Sequence, residues 1–550
     1  MSPIFNARRS QFGVPVGTRP SIVSYQFAPV AGFTELPPEN APAGSFWSGE
    51  NVWIRQGRLE PRGRLQRYGD NNPTTDLANG LFLYDSVSGN RYPVATSKGT
   101  VSYFNIGTRL WTTLSYVSSG TSDNPPSGGA GDLFFGTSSF LPRIDENVAV
   151  FTNGVDPVFA WGGPTSGMTF STLTQGPIAK DVINFDNRLI AWNVAELSSL
   201  TQYVTRVAWT ARGDPEDWTG EQSGFVELLT MRGAGTRLFA VGDEFVLASS
   251  KEIWLARRVG PPFIFDFSPL VQELGMPYPR AAIQTETGIY WLGGDLMIYR
   301  LAGRQVSAIG SAIHRTLHDR LVEPERCFFT WHPDLRHLSF WYTTVTGFAP
   351  NQGFTFSADA EVWTPQRFPQ HRVSAGLSAQ PLSSSATTWG GLVSTIESQL
   401  FTYNQLLGIS ELGTELFVSG SASVGNSGAT TYTLGHSTST SDDGTAVPSF
   451  VIFPLFGPEG PTRTKLINEV RLNLQANRAS VLSIGLSTNG GATYVSERTL
   501  LVSAASNSSQ YLSRPSAIGA NVALRIRSEA TGDWQLRLVT VHGQDQGRST

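Results

Sequence analysis

The sequence predicts an all-β chain: an irregular β-propeller with an N-terminal extended arm and a C-terminal β-sandwich-like domain. Three observations carry this expectation. In Leu238–Arg257, LFAVGDEFVLASSKEIWLAR, three short apolar runs are separated by two tight turns. Gly242-Asp243 is a Gly-first pair suited to a type II′ hairpin, and runs of four or five residues suit strands rising about 3.3 Å per residue. The second observation is recurrence. Shifted by 43 residues, Val246–Arg257 lies over Ile289–Arg300, with Val246 on Ile289, Leu247 on Tyr290, Leu255 on Ile298 and Arg257 on Arg300. Further hairpin-like pieces are Val148–Trp161 around Asn153-Gly154, Val182–Trp192 around Asp186-Asn187, and Phe328–Tyr342 around Pro333-Asp334. Their irregular spacing centres near the roughly 40–50 residues of a four-stranded blade. The third is composition: 15% charged residues, with 14 Trp, 32 Phe, 15 Tyr, 56 Gly and 33 Pro, favours strands and turns over helices.

At 550 residues the chain calls for more than one domain, although a propeller absorbs about 300 residues as a single unit. The lone cysteine, Cys327, excludes an internal disulfide framework and a cysteine-based zinc site, and a chain of this kind is at ease in a reducing cytoplasm. The N-terminal MSPIFNARRSQFGVPVG lacks the apolar core of a secretory signal, and no run of about 18 apolar residues predicts a membrane-spanning segment. A net charge of −4 argues against a dedicated nucleic-acid surface.

In chain order, residues 1–50 are rich in Pro, Gly and small polar residues and read as an extended arm that orders against another chain. Residues 51–418 are expected to form the propeller. They open on NVWIRQGRLEPRGRLQRYGD, whose Arg55, Arg58, Arg62, Arg64 and Arg67 are expected to face neighbouring chains. Leu81–Tyr103 reads as paired strands, Ser118–Gly131 as a long Gly-rich loop, and Thr205–Gly220 as a strand ending in a Gly-Asp-Pro turn bracketed by two tryptophans. Ser311–Leu321 is the best helix, with Ile313, Leu317 and Leu321 on one stripe and Pro324 just beyond. Residues 419–449 are saturated with Ser, Thr and Gly and read as a loop or linker. From 450 to 550, five strands at sandwich-like spacing are expected: Val470–Leu474, Val481–Leu486, Thr499–Val502, Val522–Ile526 and Trp534–Val541.

Few residues invite a chemical reading. His314 and His318 stand one helical turn apart, but Arg315 occupies the place where a zinc protease carries its general-base Glu. Ser487-Thr-Asn-Gly-Gly-Ala-Thr-Tyr494 resembles the Asp-box turn of sialidases, with Asn489 and Tyr494 in place of the usual Asp and Trp. That box shapes a strand connection and does no chemistry. Glycosidase chemistry needs two carboxyls across a sugar bond, and Glu216/Asp217 or Asp442/Asp443 are adjacent acids of a commonplace kind. No nucleophile elbow or phosphate loop follows a strand. The expectation is a chain with no catalytic, cofactor or metal residues, not an enzyme.

Four stretches resemble the tail nozzle (tail tube hub) proteins of short-tailed bacteriophages. They are Asn51–Gly63, Val207–Trp218, the segment from Gly242 through Ile289–Asp295 to Gly310, and Ser487–Tyr494 followed by Ala523–Arg527. The resemblance implies a structural virion protein of the tail, assembled in the host cytoplasm as a ring, a homohexamer, below the portal and its adaptor. It implies tail fibre or spike proteins as partners, and phage DNA passing through the channel without specific binding. A bore of acidic, small polar and glycine residues would suit such passage, since each basic contact to a phosphate adds attraction. The rival reading is a carbohydrate-active propeller, either a glycosidase or a lectin-like receptor binder, drawn from the Asp-box-like turn, the tryptophans and the all-β build.

Overall fold

The structure is a computed structural model that describes residues 22–37, 40–69, 71–74, 76–105, 108–117, 126–129, 131–197, 200–260, 263–368, 371–379, 414–419, 430–435, 441–442, 445–455, 463–476, 478–519, 521–528 and 534–548. It divides into two units, Arg62–Val447 and a second made of Met1–Pro61 with Pro448–Thr550.

Arg62–Val447 is a β-propeller. Among the described residues it has seven four-stranded blades, six of them meanders of consecutive strands. The first strands of the blades are Gly80–Asp85, Phe135–Leu141, Ile178–Phe185, Gly235–Val241, Ala282–Thr285, Phe328–His332 and Val373–Ala379. They line the propeller axis. The seventh blade borrows its outermost strand from the start of the unit. Arg64–Arg67 pairs antiparallel with Thr431–Gly435, Leu65 opposite Leu434, and this closes the ring. Blades one and two are further joined at their outer edges, where Thr169–Thr172 runs parallel to Leu110–Tyr116.

The 43-residue repeat is the blade itself. Val246–Arg257 and Ile289–Arg300 each span the second and third strands of a blade, and the two lie in separate sheets. Gly242 has φ +60°, as the two-residue turn between Val241 and Glu244 requires. Blades bury their apolar faces on one another. Trp192, Val207 and Trp209 of blade three meet Leu238, Phe245 and Trp254 of blade four. Phe239, Val246 and Leu255 of blade four meet Ile289 and Trp291 of blade five. Close approach near the axis depends on two glycines. A Cβ on Gly136 would lie 2.7 Å from the Phe82 ring, and one on Gly376 would lie 2.6 Å from the Phe328 ring. The expected helix is present as His314–Arg320, with Leu317 and the preceding Ile313 buried.

Among the described residues the second unit contains two sheets. One runs Ser48–Glu50, Ser449–Leu455, Val522–Ser528, Ser480–Ser487, Ser496–Val502. The other is built on the long pair Arg463–Ala476 and Trp534–Arg548, extended by Val52–Arg55, Arg58–Pro61, Ala505–Ser513, Ile22–Phe27 and Ala517–Gly519. Phe27 and Phe46 meet Phe453 at 5.2 and 6.2 Å between ring centroids, so residues from both ends of the chain share one core. All five strands expected between 450 and 550 lie within these sheets.

Several expectations need correction. The N-terminal segment is extended, but over Ile22–Phe27 it pairs with its own chain, Tyr25 opposite Val541. Its period-two pattern, with Tyr25 and Phe27 half-buried and Ser24 and Gln26 exposed, is enough to add a strand to a sheet. Residues 1–21 lie outside the described residues. Asn51–Pro61 belongs with the C-terminal strands and not with the propeller, because its hairpin extends their sheet, Leu59 opposite Leu536. The Arg55–Arg67 cluster is engaged within the chain. Arg62 and Arg64 are buried, and Arg58 donates to the side chains of Gln475 and Gln535. Within 419–449, Thr431–Gly435 is a blade strand whose Tyr432 and Leu434 fill the core, so the polar composition hid a strand. Residues 420–429, 436–440 and 443–444 of that stretch lie outside the described residues, as do 118–125 and 130 of the Gly-rich loop.

Next to the closing strand, Arg62 donates to both carboxylate oxygens of Asp442, to its neighbour Gly63 O at 2.7 Å and to Arg367 O at 3.2 Å. Leu65 N donates to the same carboxylate at 2.9 Å, and the guanidinium lies over the Phe368 ring. Breaking a buried pair by removing one partner leaves the other charge uncompensated. Asp442→Ala is therefore expected to cost about 3–5 kcal/mol in urea denaturation. Gly136→Ala is expected to cost about 1–3 kcal/mol by forcing the Phe82 ring to move.

Candidate functional site: the axial cavity

The seven first strands enclose a cavity of about 440 Å³ on the propeller axis. Its wall carries the aromatic residues Phe82, Phe134, Phe135, Phe328 and Phe329, and the charged residues Asp85, Asp181, Arg237 and Arg280. A second cavity of about 490 Å³ shares Arg280 with the first and is lined by Leu77, Ala78, Leu133, Pro279, Glu325 and Arg326 among others.

Asp181 is the most constrained of these groups. It lies on the first strand of blade three, IAKDVINF, where a carboxylate interrupts a largely apolar pattern. Its oxygens accept from Arg237 Nε at 3.0 Å, Leu238 N at 2.7 Å and Val182 N at 2.9 Å. Burial pushes the Asp181 carboxyl above its ordinary pKa, and Arg237 with the two amides pulls against it. Arg237 also donates to Pro279 O at 2.9 Å and lies 4.0 Å over the Phe135 ring, so one side chain of blade four touches blades two and three and the approach to blade five. With its oxygens held by these donors, Asp181 serves as an electrostatic anchor for the axis.

Arg280 is placed differently. Its Nη2 donates to Ser374 O, and the Phe328 ring lies 5.9 Å away. Burial, then the nearby Arg326, lowers its pKa to about 10, which leaves it charged at neutral pH. Asp85, at the far end of its strand, is half-exposed and pairs with Arg91 at 3.0 Å.

The residues singled out in the sequence are not brought to this cavity. His314 Nε2 contacts Asp295 O at 3.0 Å, while His318 is exposed beside Asp319. Among the described residues, no three His, Cys, Asp or Glu side chains cluster as metal ligands. Glu216 pairs with Arg143 at 2.8 Å and accepts from Thr174, and Asp217 accepts from Gly220 N to shape its turn. Trp209 is blade core, and Trp218 is partly buried against the blade two–three core. The Ser487–Tyr494 turn joins Ser480–Ser487 to Ser496–Val502 in the other unit. Ser487 Oγ accepts from Gly491 N at 2.8 Å, and Asn489 Oδ1 accepts from Thr493 N at 2.9 Å. Asp181, Arg237 and Arg280 escaped sequence reading because three separate blades supply them. The one linear clue was an acid inside a strand whose alternation calls for core.

Together these features define a seven-bladed propeller with an appended two-sheet unit. No protein-family model matches the chain, and no curated protein matches its sequence. Solved structures resemble the chain at low identity. An exo-β-1,3-galactanase from Phanerochaete chrysosporium, determined with β-1,3-galactotriose, is 8% identical over 87% of this chain and 100% of that one, with a TM-score of 0.25. A glycoside hydrolase family 43 arabinoxylan arabinofuranohydrolase from Bacillus subtilis, in complex with cellotetraose, is 11% identical over 91% and 96%, with a TM-score of 0.23. YCF48 bound to D1 peptide is 9% identical over 68% and 95%, with a TM-score of 0.36. The expectation that the chain is not an enzyme is corrected by the first two, which are hydrolases.

Asp181 yields a pH prediction. Its folded pKa is raised above the unfolded value near about 4, so the native state holds the proton more tightly. Its contribution to stability is complete below the unfolded pKa and declines as pH rises through the folded value. Urea midpoints measured from pH 4 upward should show this decline in the wild type and lack that component in Asp181→Asn. Identical pH profiles would contradict the assignment.

Proposed function

We propose that this chain is a carbohydrate-active propeller that receives its saccharide in the axial cavity. The observation that carries the reading is the cavity itself: about 440 Å³, lined by all seven blades, walled by phenylalanine and supplied with a few convergent polar groups. Pockets of this size and make-up are the usual form of small-ligand sites. Aromatic faces cover the apolar faces of a sugar ring, while Arg280, Gln284, Ser138 and Ser378 offer polar groups to its hydroxyls. Calorimetry against a panel of neutral and acidic oligosaccharides, followed by assay for newly released reducing ends, tests it. Saccharide binding that weakens at least about tenfold when Phe135 and Phe329 are both changed to Ala is the expected result, since lost aromatic contact is worth a kcal/mol or more per ring. A panel in which nothing binds would contradict the reading.

A second reading is favoured by the four stretches that resemble tail nozzle proteins: a virion tail subunit that forms a ring with portal-adaptor and fibre partners. A lectin-like receptor binder on a tail would unite both readings. Solution mass separates them. A ring-former gives a hexamer, alone or with its neighbour protein, whereas a monomer that binds or cleaves saccharide supports the first reading alone.

A further inference from the structure

Arg280 lines both cavities. Its guanidinium carries several N–H donors in a planar fork, and Ser374 O takes one of them. Among the described residues, no carboxylate pairs with it. The acids around it are otherwise engaged or turned outward. Asp181 is held by Arg237 and two backbone amides, Asp85 pairs with Arg91, and Glu325 is exposed. The neighbouring Arg326 pairs with Glu323 at 2.8 Å and adds positive potential rather than relief. Arg237, the other arginine on the axis wall, has its counter-ion in Asp181, whereas Arg280 lines two cavities.

We propose that Arg280 anchors an anionic group of the ligand, so that the saccharide taken up on the propeller axis is acidic, a uronate-bearing oligosaccharide. The inference rests on the carbohydrate reading and adds the substrate class. A planar guanidinium fork meets a carboxylate through two parallel hydrogen bonds, which a neutral hydroxymethyl group cannot reproduce. Removing the anion leaves a desolvated cation without compensation, so the site discriminates against neutral sugars as well as attracting charged ones. The Phe328 ring centroid lies 5.9 Å from the guanidinium carbon, within cation–π range.

Calorimetry on the full chain tests this with a hexuronate trisaccharide and the neutral trisaccharide of the same linkage. The wild type is expected to bind the acidic trimer at least about tenfold more tightly, with the preference narrowing as salt is raised. In Arg280→Gln the acidic and neutral trimers should bind with equal affinity, the preference being lost. Arg280→Lys should retain part of the preference, since it keeps the charge and loses the fork. Equal binding of the two trimers by the wild type would overturn the inference while the carbohydrate reading stands. A preference that survives Arg280→Gln, in a variant with an unchanged melting midpoint, would remove Arg280 from the role. Failure of both trimers to bind would overturn the inference and the reading together.

Discussion

The pairing of Arg64–Arg67 with Thr431–Gly435 is the contact on which the propeller depends, because it joins residues from the two ends of the unit into one blade. Each of the other blades is a local meander that forms from neighbours in sequence. The seventh does not exist until the chain has come full circle. Around that seam the interactions are dense. Leu65 and Leu434 are buried, Tyr68 N donates to Thr431 O at 2.8 Å, and Trp111 Nε1 of blade one donates to Thr431 Oγ1 at 2.9 Å. The Arg62–Asp442 pair fixes the chain immediately before the closing strand, in a place too dry for either charge to stand alone. A long-range closure of this kind carries the loop entropy of the whole unit, so ring formation is expected late in folding.

Closure turns seven strands inward and creates the axis. How near those strands approach is set by small residues opposite large ones: Gly136 against Phe82 and Gly376 against Phe328. The polar side of the axis is set by Asp181 and Arg237, which fasten blades three and four and reach blades two and five. What remains is a cavity with aromatic walls and one guanidinium not matched by a carboxylate among the described residues. The proposed ligand chemistry thus follows from how the ring is closed, and no single segment carries it.

Much of the fold was legible in the sequence for a physical reason. Blades are local, so turn chemistry at Gly242-Asp243 and the 43-residue echo expose them directly. The helix at His314–Arg320 showed through its apolar stripe and the proline beyond. The closing strand was not legible, because RLQR looks like a basic surface run until Thr431–Gly435 is laid beside it, and that partner was buried in a Ser/Thr/Gly-rich stretch. The arm was misassigned for the same reason: Ile22–Phe27 alternates too briefly to declare a partner hundreds of residues away. The site was less legible still. Asp181, Arg237 and Arg280 share no motif, and the residues that resembled known motifs, Ser487–Tyr494 and the His314/His318 pair, proved to shape turns or face solvent.

The central claim is that the axis of the closed ring, and no other surface, receives the ligand. Photo-affinity labelling with an oligosaccharide carrying a diazirine, followed by peptide mapping, tests it most directly. Labels are predicted on the first strands of the blades, above all within Asn79–Asp85, Phe134–Ser138 and Phe328–Phe329. Labelling confined to the outer strands or to the Pro448–Thr550 sheets would contradict the account.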